Sequence, residues 1–199
     1  MPFWLEILNL KKPRDTFREE RIIRALAALA LMAVYDETST AYRGLVQSAK
    51  TNPDAAARAQ ALHYLGEVHA YLENPLPADV IDEIKPIMTE DPVFEPRFQA
   101  RMLLREHDVP IPLDNPGGAY AFKVKLFWDK RVYRTIELRS EQTLDELHFA
   151  IQHALHWDSD HLYSFFMNGE LFDEPYGFAC PYEEDRPPWT TEAVLGELG

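Results

Sequence analysis

The sequence predicts an α+β chain in two parts: a helical-repeat domain over residues 1–113, then a small α+β domain over residues 118–199. Three observations carry this. Proline followed five residues later by arginine recurs at a spacing near 40 residues. Residues 109–118, Val-Pro-Ile-Pro-Leu-Asp-Asn-Pro-Gly-Gly, concentrate the residues that interrupt regular structure. Beyond them the hydrophobic period falls from 3.6 to 2, the change from helix to strand.

The recurrence consists of Pro13 and Arg18, Pro53 and Arg58, and Pro92 and Arg97, at steps of 40 and 39. Gln60 with Gln99, Ala61 with Ala100 and Leu65 with Leu104 repeat at the second step. Proline suits a helix start, where its missing N–H costs nothing, and it ends whatever helix precedes it. After Pro53, Ala57, Ala61, Leu62, Leu65, Val68 and Leu72 line one helical face. That face needs a partner, and the segments Thr40–Lys50 and Ala78–Thr89 are candidate second helices, the latter bent or shortened by Pro86. About five helices in 100 residues follow. This spacing resembles the helix-pair repeats of the HEAT type, which act as scaffolds and interaction surfaces. Arg18, Arg58 and Arg97 could bind a partner or pair with carboxylates of the neighbouring repeat, and the structural role is the expected one. His63, His69 and His107 are expected to be surface or satisfied interior groups rather than ligands.

Composition bounds the function classes. An apolar share of 46% and a charged share of 27% are those of a chain that folds throughout. Net charge is −13, divided as −5 over residues 1–115 and −8 over residues 116–199. Phosphate backbones are held by clusters of Lys and Arg, so acidic halves disfavour nucleic acid as a partner. The single cysteine, Cys180, can form no internal disulfide, which suits a reducing compartment and a cytoplasmic location. In Met1–Leu10, Glu6 interrupts the apolar residues and no basic leader precedes them, so Phe3, Trp4, Ile7 and Leu8 read as a capping segment. The apolar run Ala25–Val34 is half the length of a membrane span and reads as a buried helix.

In the second part, Phe122, Val124, Leu126 and Trp128 alternate with other residues up to a polar break at Asp129–Arg131. Val132, Ile136 and Leu138 then resume, which predicts an antiparallel hairpin. Thr143 and Glu146 make a capping box for a helix carrying Leu144, Leu147, Ile151 and Leu155 on one stripe. A third strand, Leu162–Met167, should end at the turn dipeptide Asn168-Gly169. Strand, strand, helix, strand opens a β-grasp-like fold, with the helix sealing a mixed sheet.

At these residues the sequence resembles the plasmid pRiA4b open-reading-frame-three-like domains. The helix carries their Leu147, His148, Ile151 and Gln152, and the next element their Trp157, His161, Leu162 and Phe165. The likeness runs from Ala121 to Gly169. His156 stands where the family commonly has glycine, and Tyr133 where tryptophan usually precedes arginine. The resemblance implies a further tyrosine-aspartate-phenylalanine-glycine-aspartate segment after about residue 200, so that the domain reads as incomplete. It also implies a link to mobile elements, but not resolvase chemistry, since no serine nucleophile sits among arginines here.

Chemistry-bearing clusters are few. His148, His153, His156, Asp158, Asp160 and His161 form the densest group; His153, His156, Asp158 and His161 are candidate metal ligands. They lack the order of a helical zinc site such as His-Glu-x-x-His. The competing expectation is that His148 and His161 anchor the helix to the third strand by hydrogen bonds, while Asp158 and Asp160 cap the turn after the helix. Glu170, Asp173, Glu174, Glu183, Glu184 and Asp185 form an acidic surface loop interleaved with Phe172, Tyr176, Phe178, Tyr182 and Trp189, candidate interface anchors. No motif calls for a cofactor or assigns catalytic residues, and the sequence names no particular partner or oligomeric state. The expected function is a non-enzymatic interaction or scaffold protein. The alternatives are a metal-dependent enzyme or regulator using the 148–161 cluster, and a nucleic-acid-binding protein.

Overall fold

The computed structural model describes residues 16–35, 40–158, 160–183 and 188–199, with the side chains of 16–19 and 21 excepted. Phe3, Trp4, Ile7, Leu8, Pro13, the Arg18 side chain, Glu184 and Asp185 lie outside the described residues. The chain divides into two compact units, Met1–Ile111 and Pro112–Leu198.

The first unit is a bundle of helices: α1 Thr16–Tyr35, α2 Thr40–Thr51, α3 Ala55–Leu72, α4 Ala78–Ile84, α5 Ile87–Glu90 and α6 Phe94–Glu106. Helix α3 is its centre and packs against α1, α2 and α6. Ala57, Ala61 and Ala100 are buried there, small enough to bring backbones close, and Leu62, Leu65 and Leu104 fill the remaining space. Full burial of each leucine contributes about 2 kcal/mol. Proline splits the segment after Ala78 into α4 and α5, with Lys85 and Pro86 between them.

Both described copies of the proline-arginine recurrence fold alike. Asn52 Oδ1 accepts from Asp54 N, and Asp91 Oδ1 accepts from Val93 N, each at 3.0 Å. Arg58 Nη1 donates to Asn52 O, and Arg97 Nη1 to Asp91 O, each at 2.8 Å. Each proline stands one residue before the N-cap, Asp54 or Val93, rather than inside the helix. There it blocks helical extension backwards, while the preceding Asx side chain closes the turn.

The second unit opens with an antiparallel hairpin, β1 Ala119–Lys125 and β2 Tyr133–Arg139, pairing Phe122 with Ile136 and Tyr120 with Leu138. Exposure alternates along β1, so Tyr120, Phe122 and Val124 point inward and Lys123 and Lys125 outward. Helix α7, Leu144–Leu155, packs against β2. Its capping box is complete: Thr143 Oγ1 accepts from Glu146 N and Glu146 Oε2 from Thr143 N.

The third strand differs from expectation. β3 covers only Ser164–Phe166 and pairs antiparallel with β4, Gly177–Ala179, rather than joining the hairpin. A three-residue strand beginning with glycine shows no alternation, so its claim on β3 leaves no mark in the hydrophobic pattern. Gly169, at φ 79°, makes the turn after β3 as expected. The last segment runs back along the start of α7: Thr190 O accepts from Asp145 N, Ala193 O from Leu144 N and Gln142 O from Leu195 N. Among the described residues no helix is long and apolar enough to cross a membrane.

Candidate functional site

The densest polar arrangement of the second unit lies where α7 meets the segment entering β3. The His148 ring stacks on the Tyr163 ring, centroids 3.4 Å apart and nearly parallel. The Tyr163 hydroxyl donates to Asp145 and lies 3.2 Å from Thr190 Oγ1. Burial, followed by the hydrogen bond to Asp145, pushes the Tyr163 phenol well above its ordinary range. Burial also lowers the His148 pKa, against a smaller upward pull from Asp145. A neutral imidazole thus stacks on a neutral phenol that holds a carboxylate. The phenol keeps its proton as a donor, and the arrangement clamps helix to strand rather than preparing a base. His148 thus meets the segment entering β3 by ring stacking rather than by the expected hydrogen bond.

The other histidines behave differently. His153 is exposed in the last turn of α7, and His156 forms its left-handed C-cap at φ 56°. His161 is exposed, with Nδ1 3.1 Å from Asp160 Oδ1, so it does not anchor the helix. Asp158 is exposed, and the turn is closed by backbone bonds, Trp157 N to Gln152 O and His156 N to His153 O. Among the described residues no three His, Cys, Asp or Glu side chains group as a metal site. The left-handed cap accounts for the glycine common at the His156 position, since glycine adopts that conformation without steric cost.

Of the resembling residues, Leu147 and Gln152 are buried, and Ile151 and Phe165 are partly buried. Trp157 and Leu162 are exposed. The candidate anchors of the acidic loop separate. Phe172, 82% exposed, and Tyr182 face solvent; Tyr176 and Trp189 are half-buried. Phe178 is a correction: it is wholly buried on β4 and belongs to the core, because the unexpected β3–β4 pairing turns it inward.

In the first unit, a groove of about 450 Å³ is lined by Lys50, Asn52, Arg58, Glu83, Glu90 and Asp91. Its cations are engaged: Lys50 Nζ donates to Glu83 at 2.7 Å and Arg58 grips Asp91. His69 is fully buried, with Nε2 2.9 Å from Tyr42 Oη and Nδ1 2.8 Å from Asn74 Oδ1, a satisfied interior histidine. Burial first, then His69, lowers the pKa of His107, whose Nδ1 accepts from Leu76 N.

One surface escaped the sequence reading. Phe127, Trp128 and Tyr133 are exposed around the hairpin turn, beside Lys123, Lys125 and Lys130. Counting charge element by element, rather than over each half, would have found it.

No curated protein matches the chain. No solved structure matches it either. Residues 118–195, less than half of the chain, match the family model described as Plasmid pRiA4b ORF-3-like protein, and over that span the chain is similar to this family.

Proposed function

We propose that the chain is a non-enzymatic interaction protein in which helical repeats form a scaffold and the C-terminal unit is a docking element. The observation that carries this is Phe172. It is a bulky residue held at φ 65° with its side chain in solvent, next to exposed Leu171. Such a conformation costs about 1–3 kcal/mol. A ring displayed at that cost, mostly in solvent and edge-on to Phe166, suits an anchor for a protein partner.

A HEAT-like reading of the first unit is supported by the matching hydrogen bonds at Arg58 and Arg97. It is supported too by ion pairs reaching one repeat onward: Arg43 to Asp79 and Glu83, Lys50 to Glu83, Arg58 to Asp91. A β-grasp-like reading of the second unit is supported by the hairpin and its covering helix, while the separate pairing of β3 with β4 weighs against one mixed sheet. The matched family's name supports a mobile-element setting.

The test compares the wild type with Phe172→Asn, each purified, as bait for proteins identified by mass spectrometry and then re-bound in pure form. A protein bound saturably by the wild type and released by Phe172→Asn supports the reading. Identical capture by both baits contradicts it.

A further inference from the structure

The second unit segregates its charge sharply. Of the seven Lys and Arg residues between 116 and 199, six lie within residues 123–139, accompanied by two acids, Asp129 and Glu137. Residues 140–199 hold thirteen acids and one arginine. An acidic total therefore conceals a basic ribbon.

The strand register puts Lys123, Lys125 and Arg139 on one face of that ribbon, with the acid Glu137 in the same register. Lys123 pairs with Thr135 and Lys125 with Tyr133 in the register whose side chains face outward, and all four are exposed. Lys123 Nζ lies 4.6 Å from the Tyr133 ring centroid. Leu126 N bonds Val132 O to close the turn, which carries Phe127 and Trp128 at 87% and 75% exposure. Arg131 folds back on Asp129, and Arg134 donates to Ala154 O. The outward cations are thus Lys123, Lys125, Lys130 and Arg139, of which the three lysines lie nearest the exposed rings in the chain.

We infer that the β1–β2 ribbon binds single-stranded nucleic acid, with its lysines on phosphates and the rings of Trp128, Phe127 and Tyr133 stacked on bases. Lysines alone would suit any polyanion. The rings discriminate: unpaired bases offer free faces for stacking, whereas an acidic peptide offers none and a duplex hides most of its own. The acids elsewhere oppose a distant polyanion, but that field is screened within about 8 Å at physiological salt, shorter than the reach of a contact along the ribbon. This site is independent of the protein-partner reading, which concerns Phe172.

The experiment is fluorescence anisotropy of a labelled 15-mer of deoxythymidine with the full chain. Saturable binding is expected at 50 mM salt, falling about fortyfold by 300 mM for three phosphates neutralised on a single strand. Trp128→Ala and Lys125→Glu should each weaken it about tenfold, and Lys125→Arg should restore it. Lys85→Glu makes the same charge change on an exposed residue of the first unit and should leave binding within twofold. All these positions are exposed, and circular dichroism checks each variant's fold. No binding at 50 mM salt overturns the inference. So does equal loss from Lys85→Glu, tighter binding of a duplex, or a labelled polyglutamate bound as well as the oligonucleotide.

Discussion

Arg58 and Asp91, 33 residues apart in the chain, meet through two hydrogen bonds, Nε to Oδ2 at 2.7 Å and Nη2 to Oδ1 at 2.8 Å. Their side chains are 12% and 8% exposed. Asp91 also accepts from Val93 N, and its carbonyl accepts from Arg97, so one aspartate joins the turn before α6 to α3.

Asp91→Asn keeps the acceptor for Val93 but leaves a buried guanidinium beside a neutral amide, and should cost about 3 kcal/mol in urea unfolding. Burial pushes the Asp91 pKa up, but the bonds from Arg58 and Val93 together outweigh it and hold the carboxyl below its usual value. A depressed folded pKa contributes stability that is present above the unfolded value, near 3.9, and is lost as pH falls through the folded one. Stability should therefore drop below about pH 4 in the wild type, and Asp91→Asn should flatten that part of the profile.

Tyr163 gives the opposite sign. Its phenol pKa is raised, so its contribution is intact below the unfolded value near 10 and is lost as pH rises above it. Spectrophotometric titration of Tyr163→Phe should match the wild type in phenolate absorbance up to about pH 11, since the removed residue stays protonated there. A smaller amplitude in the variant over that range would show that Tyr163 ionises normally.

His156 occupies a left-handed cap at φ 56°. His156→Gly should stabilise the second unit by about 0.5–1 kcal/mol, seen as slower hydrogen exchange in the last turn of α7. Faster exchange would mean that the imidazole makes a compensating contact.

Local chemistry was the most legible part of the fold. The hairpin showed in the alternation around Phe122 and Val124, and α7 in the Thr143–Glu146 box, because each signal lies within a few residues. The proline-arginine recurrence was legible for the same reason, and its two described arginine side chains, Arg58 and Arg97, bond as structural groups. What escaped depended on partners distant in sequence. β4 is too short to show a period, so the pairing of β3 was misassigned, and Phe178 was read as an anchor while it fills a core. His161 was expected to anchor α7, yet it stands exposed on Asp160, since a histidine's role depends on its neighbours in space. The basic ribbon was hidden by averaging Lys123, Lys125 and Lys130 with the acids that follow.

The most direct test of docking through Phe172 is the thermal midpoint of Phe172→Asn. Asparagine adopts the left-handed region more readily than phenylalanine, and the largely exposed ring packs edge-on to Phe166 at 5.8 Å. An anchor held for a partner predicts a midpoint equal to the wild type or a few degrees higher. A fall of more than about 3 °C would show that Phe172 serves the fold and would contradict the account.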